Sequence, residues 1–274
     1  MILNVIGTVN DPGTPGKTGD DRVGFDAAAG TAWVLDGATD VTDLRPFPQA
    51  ESGAAWVAEA LSDRLMQGPA AGQPPLAYFD AVLADVRARA QAETRIPLDK
   101  LPGEALPIAS GMWLWLHAGE AVFAHMGDCM ALVRSGTSVR VVGVMEKAED
   151  ESAAARRMLA MTAEERLGWL RQARRLSNDL GTCFGLGPAV AGNLAVERWP
   201  VRPGDEICLM SDGLYRLISP YGTHTPAAFM QALAETDLLS LVQALRAFED
   251  APDGDIPRLK RRDDASGVYL RIEA

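Results

Sequence analysis

The order of the predicted elements indicates an α+β fold, in which helices cover largely antiparallel sheets. Short apolar runs typical of strands occur at both ends and in the middle of the 274-residue chain. Helical patterns separate these runs in groups, whereas a parallel α/β fold would require strict alternation of strand and helix. The length allows one or two domains, and no composition shift or linker divides the chain. We therefore predict a single domain over residues 1–274.

The first third of the chain predicts strands followed by a helix pair. Residues 1–9 and 22–36 contain short apolar runs with Gly-rich joints, which predict strands, and the loop composition of 10–21 separates them. Apolar side chains recur at three- and four-residue spacing in 51–67 and 76–93, which predicts two helices.

The middle of the chain predicts a β-meander followed by charged helices. Within residues 107–143, four apolar runs are separated by turn-forming segments, as expected for consecutive antiparallel strands. Residues 147–175 are highly charged and helical in pattern. Thr162-Ala163-Glu164-Glu165 has the composition of a capping box, so we predict that a second helix begins there.

The last third predicts a strand at 195–211, one or two helices at 226–248 and a final strand at 266–272. Three stretches rich in Pro and Gly have the length of loops: residues 10–20, 68–75 and 250–257.

The composition excludes several function classes. Lys plus Arg is 26 and Asp plus Glu is 37, so the net charge of −11 argues against a nucleic-acid binder. We see no signal peptide, no run long enough to span a membrane and no basic cluster suited to a membrane surface. The three cysteines, Cys129, Cys183 and Cys208, are widely spaced and odd in number, which indicates neither a disulfide framework nor a zinc motif. We expect a cytoplasmic protein.

Four Asp residues lie at the ends of strand-like runs, each beside a Gly or a second Asp. They are Asp36, Asp128, Asp212 and Asp263. One Asp-Gly pair is more often a turn than a metal ligand. Four in one chain favour a shared site, because carboxylates from distant strand ends can converge and hard divalent cations prefer oxygen ligands.

The segment around Asp36-Gly37 suggests how such a site would work. The two oxygens of Asp36 can bridge two cations, and Gly37 has no side chain to block access to its backbone carbonyl. Two cations about 3.5–4 Å apart can share a water molecule, lower its pKa and direct it at phosphorus.

The ordered motifs of the chain resemble those of the metal-dependent serine/threonine protein phosphatases of type 2C. The resemblance extends from about residue 16 to 272. The matching segments are Gly19-Asp20-Asp21-Arg22, Val34-Leu35-Asp36-Gly37, Ala124-His125-Met126-Gly127-Asp128-Cys129-Met130-Ala131, Arg202-Pro203-Gly204-Asp205, Leu209-Met210-Ser211-Asp212-Gly213-Leu214 and Arg262-Asp263-Asp264-Ala265-Ser266.

This resemblance implies a four-layer αββα sandwich of two largely antiparallel sheets flanked by helices, with a flap-like helical insertion at about 144–182. It implies two or three Mn²⁺ or Mg²⁺ ions at one end of the sandwich. Asp36 would bridge two of them, Gly37 would offer its carbonyl, and Asp21 would bind through water. The remaining implied ligands are Asp212 and Asp263 for one metal, and Asp128 with Asp212 for a third.

The chain departs from the family pattern at three places that bear on catalysis. The family's Glu is Asp20 here, and the usual Gly-Gly pair is replaced by Ala38-Thr39-Asp40. The family also has an Arg that binds the phosphate, and Lys17 is the nearest basic residue. We predict Lys17 and Asp20 as catalytic residues. Arg22 is an alternative phosphate ligand, in which case Lys17 is an ordinary solvated lysine of the loop.

Other residues have less direct readings. Trp33, Trp113 and Trp115 are expected in the core. His125 is either a general acid or, as we favour, a packed residue beside the metal loop. A series of arginines is expected on a solvated helix face, or else to contact the substrate from the flap: Arg156, Arg157, Arg171, Arg174 and Arg175.

The sequence thus predicts a metal-dependent phosphomonoester hydrolase that acts on phosphoserine and phosphothreonine in a phosphorylated protein substrate by means of a metal-bridged hydroxide. Two alternatives stay open at this point. One is a catalytically weak relative that serves as a regulatory binding module, and the other is a phosphatase of small metabolites. The oligomeric state is not predicted.

Overall fold

The computed structural model describes residues 1–70, 72–144, 148–187, 193–251 and 260–274. Within these ranges the chain forms eleven strands and seven α-helices. The strands are β1 (Ile2–Asp11), β2 (Arg22–Asp26), β3 (Thr31–Gly37), β4 (Ile108–His117), β5 (Glu120–Met126), β6 (Met130–Ser135), β7 (Ser138–Val142), β8 (Phe184–Gly185), β9 (Ala195–Pro200), β10 (Glu206–Met210) and β11 (Ala265–Glu273). The helices are α1 (Gly53–Leu65), α2 (Pro75–Glu93), α3 (Ala148–Ala160), α4 (Ala163–Leu180), α5 (Asp212–Tyr215), α6 (Pro226–Glu235) and α7 (Leu238–Asp250).

The strands form two antiparallel sheets. The first sheet has the order β1-β11-β10-β6-β7, and the second has the order β2-β3-β4-β5-β9, with β8 beside β4. The first sheet pairs the two ends of the chain, since Leu3 of β1 lies opposite Ile272 of β11. The predicted α+β class and the four-layer arrangement of two sheets between helices are both confirmed.

Alternation along β3 shows how the layers are built. Trp33 and Leu35 point to one face and belong to a core shared with α1 and α2. Ala32 and Val34 point to the other face and pack between the sheets, where they join residues of the first sheet such as Leu209. Because successive side chains of a strand point to opposite faces, a strand covered on both faces is apolar throughout. A third core, which contains Phe229, lies between the first sheet and helices α5–α7.

The predicted meander over 107–143 is wrong in one important respect. Strands β4 and β5 form a hairpin in the second sheet, whereas β6 and β7 form a hairpin in the first. The chain crosses between the sheets at Gly127-Asp128. Gly127 has a φ of 81°, and a Cβ there would lie 2.2 Å from the Ser110 hydroxyl oxygen, so the crossing requires glycine.

Two other predicted strands are each divided. Residues 22–36 form the hairpin β2–β3, and residues 195–211 form β9 and β10, which lie in different sheets. The turns that divide them are short and lie at residues 27–30 and 203–204. Apolar pattern alone therefore does not show where one strand ends and the next begins.

The predicted helices are confirmed. Ser52 caps α1 by accepting a hydrogen bond from the Ala55 backbone N–H at 2.8 Å. Thr162 and Glu165 form the capping box at the start of α4. Residues 226–248 contain two helices, and the Pro/Gly stretch at 252–257 lies outside the described residues.

The tryptophans predicted in the core are there: Trp33 is fully buried, and Trp113 and Trp115 are also buried. Cys129 and Cys208 are buried as well, and the three cysteines are free thiols. Among the described residues, no helix has the length and apolar character needed to cross a membrane.

Candidate metal centre

A cavity of about 600 Å³ lies at one end of the two sheets and is polar. All eight residues that the sequence predicts for the site line it: Lys17, Asp20, Asp21, Asp36, Gly37, Asp128, Asp212 and Asp263. Strand ends position most of them. Asp36 is near the end of β3, Asp128 lies in the crossing between the sheets, and Asp212 begins α5 two residues after the end of β10.

The glycines of the two Asp-Gly pairs bring other loops close to the carboxylates. A Cβ on Gly37 would lie 2.7 Å from the Asp20 carbonyl oxygen, and a Cβ on Gly213 would lie 1.9 Å from the Asp264 carbonyl oxygen. Neither glycine has a positive φ. They are required because other backbone passes directly against them, so that the loops carrying Asp20 and Asp264 reach the cavity.

Asp36 and Asp212 form the centre of the carboxylate cluster. Burial, together with the negative charges of Asp21, Asp212 and Asp128, raises the pKa of Asp36 well above its ordinary value. The pKa of Asp212 is likewise raised by burial and by Asp128 and Asp263. The two buried carboxyl groups are therefore neighbours whose electrostatic states depend on each other.

Asp21 is almost completely buried, at 1% exposure. Its Oδ2 atom has no hydrogen-bond partner among the described residues. Burial and the nearby Asp264 carboxylate raise its pKa well above the ordinary value. A buried carboxylate oxygen without a partner is costly, and such an atom is a candidate ligand.

Asp128 lies at the exposed edge of the cluster. Its negative charge helps to raise the pKa of Asp36 and of Asp212. It also helps to raise the pKa of the buried Cys129, together with burial and the other carboxylates. Its position agrees with an outer place in the site, as the resemblance implies.

Asp263 differs from the other carboxylates because two cations hold it. Arg216 Nη2 lies 2.7 Å from Oδ2, and Lys260 Nζ lies 3.2 Å from Oδ1. Burial alone would raise the pKa of Asp263, but Lys260 and Arg216 reverse this effect and hold the pKa below its ordinary value. Sequence reasoning missed both cations. The sequence contains a signal for Arg216, because it follows Asp212 by four residues and side chains at this spacing are neighbours on a helix.

Asp20 and Asp264 organise the loop between β1 and β2. Asp264 Oδ1 accepts a hydrogen bond from the Gly13 N–H at 2.8 Å, and its Oδ2 accepts one from the Asp20 N–H. The Asp20 carboxylate in turn accepts a hydrogen bond from the hydroxyl of Ser52, the cap of α1. Asp20 thus ties the loop to α1 while it lines the cavity.

The two candidate phosphate ligands are placed differently. Lys17 is exposed and lines the cavity. Arg22 forms an ion pair with Glu59 and donates hydrogen bonds to the carbonyl oxygens of Gly19 and Asp21. Arg22 is therefore engaged with the loop backbone, and Lys17 is the better placed of the two.

His125 is a packed residue, as favoured from the sequence. It is 4% exposed, and its Nε2 lies 3.4 Å from the Glu197 carboxylate. It is not among the residues that line the cavity.

The expectation of a solvated arginine face on the flap is wrong for Arg171 and Arg174. Arg174 of α4 is buried and donates hydrogen bonds from Nη2 to the carbonyl oxygens of Ala38 and Thr39, at 3.0 and 2.9 Å. Arg171 donates to the carbonyl oxygen of Val41 at 2.9 Å. Helix α4 therefore holds the segment that directly follows Asp36-Gly37, where the family's Gly-Gly pair is missing.

The donor set fits hard divalent cations, since it consists of carboxylates and backbone carbonyls. Within the described part of the chain, no group of three or more His, Cys, Asp or Glu side chains is arranged so that it could hold a metal ion. Mg²⁺ does not require such a group, because it usually keeps several waters and binds one or two carboxylates. The unpartnered Asp21 oxygen and the gathering of buried carboxylates around Asp36 and Asp212 support the fit.

Similar solved structures agree with this architecture. PppA of Pseudomonas aeruginosa, a key regulatory component of T6SS, is 18% identical with a TM-score of 0.60, and the match covers 99% of this chain and 98% of that one. The Mycobacterium tuberculosis serine/threonine phosphatase PstP/Ppp is 15% identical with a TM-score of 0.59 and full coverage of both chains. A PstP catalytic domain in complex with two manganese ions is 16% identical with a TM-score of 0.56, covering 100% of this chain and 99% of that one. At these identities the likeness shows the fold.

The family itself is shown by sequence. No curated protein has significant sequence similarity to the chain. The family model described as protein phosphatase 2C matches residues 14–248, which include most of the motifs that line the cavity. The resemblance seen in those motifs is thereby confirmed, and the chain belongs to the protein phosphatase 2C family of metal-dependent protein serine/threonine phosphatases.

Proposed function

We propose that this chain hydrolyses phosphoserine and phosphothreonine monoesters in protein substrates, with Mn²⁺ or Mg²⁺ as the cofactor. The observation that carries the proposal is the gathering of Asp21, Asp36 and Asp212 in one cavity, where burial and the charges of neighbouring carboxylates raise the pKa of each. Perturbed carboxyl groups that converge in a cleft indicate a functional site. Here their like charges favour a cationic cofactor.

The proposed ligands follow from the positions of the side chains in the cavity. Asp36 and Asp212 would hold the ions, Asp21 would contribute its unpartnered Oδ2, and Gly37, which lines the same cavity, would offer its carbonyl. Asp263 would serve as a further ligand of these ions, and Asp128 would serve an additional ion at the exposed edge of the cluster. When bound, divalent cations activate water for attack on phosphorus and neutralise charge on the phosphoryl group.

The remaining residues bind and orient the substrate. Lys17 supplies a positive charge at the cavity wall, where it can contact phosphate as a point charge without the bidentate geometry of arginine. Asp20 keeps the Lys17 loop against α1 through Ser52. The flap helix α4 keeps the segment after Gly37 in place through Arg174.

A turnover assay tests the proposal. The purified protein should hydrolyse a chromogenic aryl phosphate in millimolar Mn²⁺ and lose this activity in excess chelator. It should hydrolyse phosphoserine or phosphothreonine peptides in preference to sugar phosphates, which separates a protein phosphatase from a metabolite phosphatase. Asp99→Asn is the matched control for Asp→Asn substitutions in the cavity. Asp99 is exposed and lies in a short turn outside the motifs, so this variant should keep wild-type turnover. Undiminished turnover in chelator would exclude a metal-dependent mechanism.

The phosphate ligand is tested separately. Lys17→Ala should lower kcat/KM, with part of the loss seen as a higher KM, because a group that binds phosphate stabilises both the bound substrate and the transition state. If Lys17→Ala is kinetically silent and Arg22→Ala is defective, the phosphate ligand is Arg22.

A further inference from the structure

Among the described residues, Asp263 is the one carboxylate of the cluster with a cation at each oxygen, and the two cations differ in exposure. Arg216 directly follows α5, is 16% exposed and pairs with Asp263 Oδ2. Lys260 is 51% exposed and reaches Asp263 Oδ1 from the cavity side. Arg216 is therefore a fixed counterion, whereas Lys260 has a flexible stem and access to solvent.

Lys260 has a second contact that explains its position. Its ammonium donates a hydrogen bond to the Thr39 hydroxyl at 2.9 Å. Thr39 lies in the segment that Arg174 holds through the Ala38 and Thr39 carbonyl oxygens. Helix α4 thus fixes the position of Thr39, and the Thr39 hydroxyl keeps the Lys260 ammonium beside Asp263.

This position conflicts with metal binding at Asp263. The ammonium uses Oδ1 of Asp263, and a divalent cation bound through the same oxygen would bring two positive centres within a few ångströms. At such a short separation their repulsion is only partly screened. One of the two cations has to leave, and the solvent-accessible lysine can do so.

We propose that Lys260 is an internal cation that competes with the divalent metal for Asp263, so that metal binding there displaces the ammonium from Asp263 and Thr39. The inference rests on the proposed function, because Asp263 must be a metal ligand. Lys260 therefore raises the metal concentration that is needed to fill the position at Asp263.

Calorimetric titration of the metal-free protein with Mn²⁺ tests the competition without measuring turnover. Lys260→Gln keeps a polar side chain but removes the charge, and it should bind the weakest Mn²⁺ ion at least several-fold more tightly than wild type. Lys260→Arg keeps the charge and should not show this gain. Arg262→Gln is the matched control, since Arg262 lines the same cavity but pairs with Asp250, and its effect should be smaller than that of Lys260→Gln.

Wild-type protein provides a second measurement that is independent of any variant. The chain has four lysines, so labelling by an amine-reactive reagent can be followed at each site by mass spectrometry. Saturating Mn²⁺ should increase labelling of Lys260 and leave Lys100, which is exposed, unchanged. Unchanged or decreased labelling of Lys260 would overturn the displacement.

The outcomes separate the two proposals. If wild type binds Mn²⁺ and is active, but Lys260→Gln binds no more tightly, the competition is refuted and the proposed function stands. If wild type binds no Mn²⁺ at all, both proposals are refuted.

Discussion

Asp36 and Asp212 come from different sheets and lie side by side in the carboxylate cluster that lines the cavity. Asp36 is the penultimate residue of β3 in the second sheet, and Asp212 lies two residues after β10 of the first sheet. The pair therefore depends on how the sheets are stacked, and the raised pKa values of both carboxyl groups reflect burial and a repulsion that a cation would relieve.

The first prediction concerns the pH dependence of stability in chelator. Asp36→Asn should raise the melting temperature above that of wild type, and this advantage should grow as the pH rises from about 4 toward 7. The pKa of Asp36 is raised by burial and by Asp21 and Asp212, so the folded wild type binds more protons than the unfolded chain. The wild type is therefore most stable below the pKa that Asp36 has in the unfolded chain. It loses stability as the pH rises from there through the higher pKa that Asp36 has in the folded protein. Melting curves of both proteins across this range check it, and a difference that does not vary with pH would contradict it.

Asp212→Asn should have two opposite effects on melting. In chelator it should stabilise the protein, because it removes one repelling charge, and in Mn²⁺ it should shrink the metal-induced shift, because it removes a ligand. For wild type, one site at about 100 times Kd contributes roughly 2.7 kcal/mol. Matched ionic strength from NaCl serves as the control and should produce little shift. Wild type that melts at the same temperature with and without Mn²⁺ would exclude a metal site.

Asp36→Asn and Asp128→Asn should differ in activity at saturating Mn²⁺. Asp36 is at the buried centre of the cluster and its loss should lower kcat on the order of 10²-fold or more, as expected for a group that stabilises charge in the transition state. Asp128 is at the exposed edge of the cluster, so Asp128→Asn should lower kcat less than Asp36→Asn does. Steady-state kinetics of the two variants give the ranking, and equal losses would place Asp128 among the central ligands.

Arg174→Ala should destabilise the protein by about 1–3 kcal/mol, because it leaves the carbonyl oxygens of Ala38 and Thr39 without their donor. It should also lower kcat/KM, since the segment after Gly37 would lose its contact with α4. Arg175→Ala is the matched control on the same helix: Arg175 is exposed and pairs with Glu104, and its loss should cost about 1 kcal/mol or less. Urea denaturation measures both changes, and equal costs would show that the buried contact does not hold the segment.

Gly213→Ala should abolish the Mn²⁺-induced rise in melting temperature, because the new Cβ would lie 1.9 Å from the Asp264 carbonyl oxygen and displace the loop that carries Asp263. Gly168→Ala is the control. Gly168 lies within α4, and its Cβ would meet nothing within 4 Å, so the substitution should stabilise the protein by roughly 0.5–1 kcal/mol. A normal metal response in Gly213→Ala would show that the close approach of the two backbones is not needed for the site.

Much of the site was visible in the sequence because its members are strand-end Asp residues in ordered motifs. All eight predicted site residues line the cavity. The helices were predicted well for a similar reason, since apolar spacing and capping residues such as Thr162 are local signals. Their roles as ligands and catalytic residues stay predictions for the experiments above.

The errors came from features that are not local. The apolar pattern of 107–143 describes four strands but does not show that the chain changes sheets at Gly127-Asp128. In the same way, the charged pattern of α4 predicts a solvated face, whereas docking of the helix against the segment after Gly37 buries Arg174.

The sequence by itself determined the fold class, the family and the set of carboxylates, because apolar periodicity and short motifs are written in consecutive residues. The tertiary structure decided the electrostatic state of each carboxylate. Asp36 and Asp263 are both Asp residues in family motifs, yet Asp36 faces other carboxylates and Asp263 lies between Lys260 and Arg216. Burial and the charges of neighbours from distant segments set a pKa, and only the packing of the two sheets and their loops brings those neighbours together.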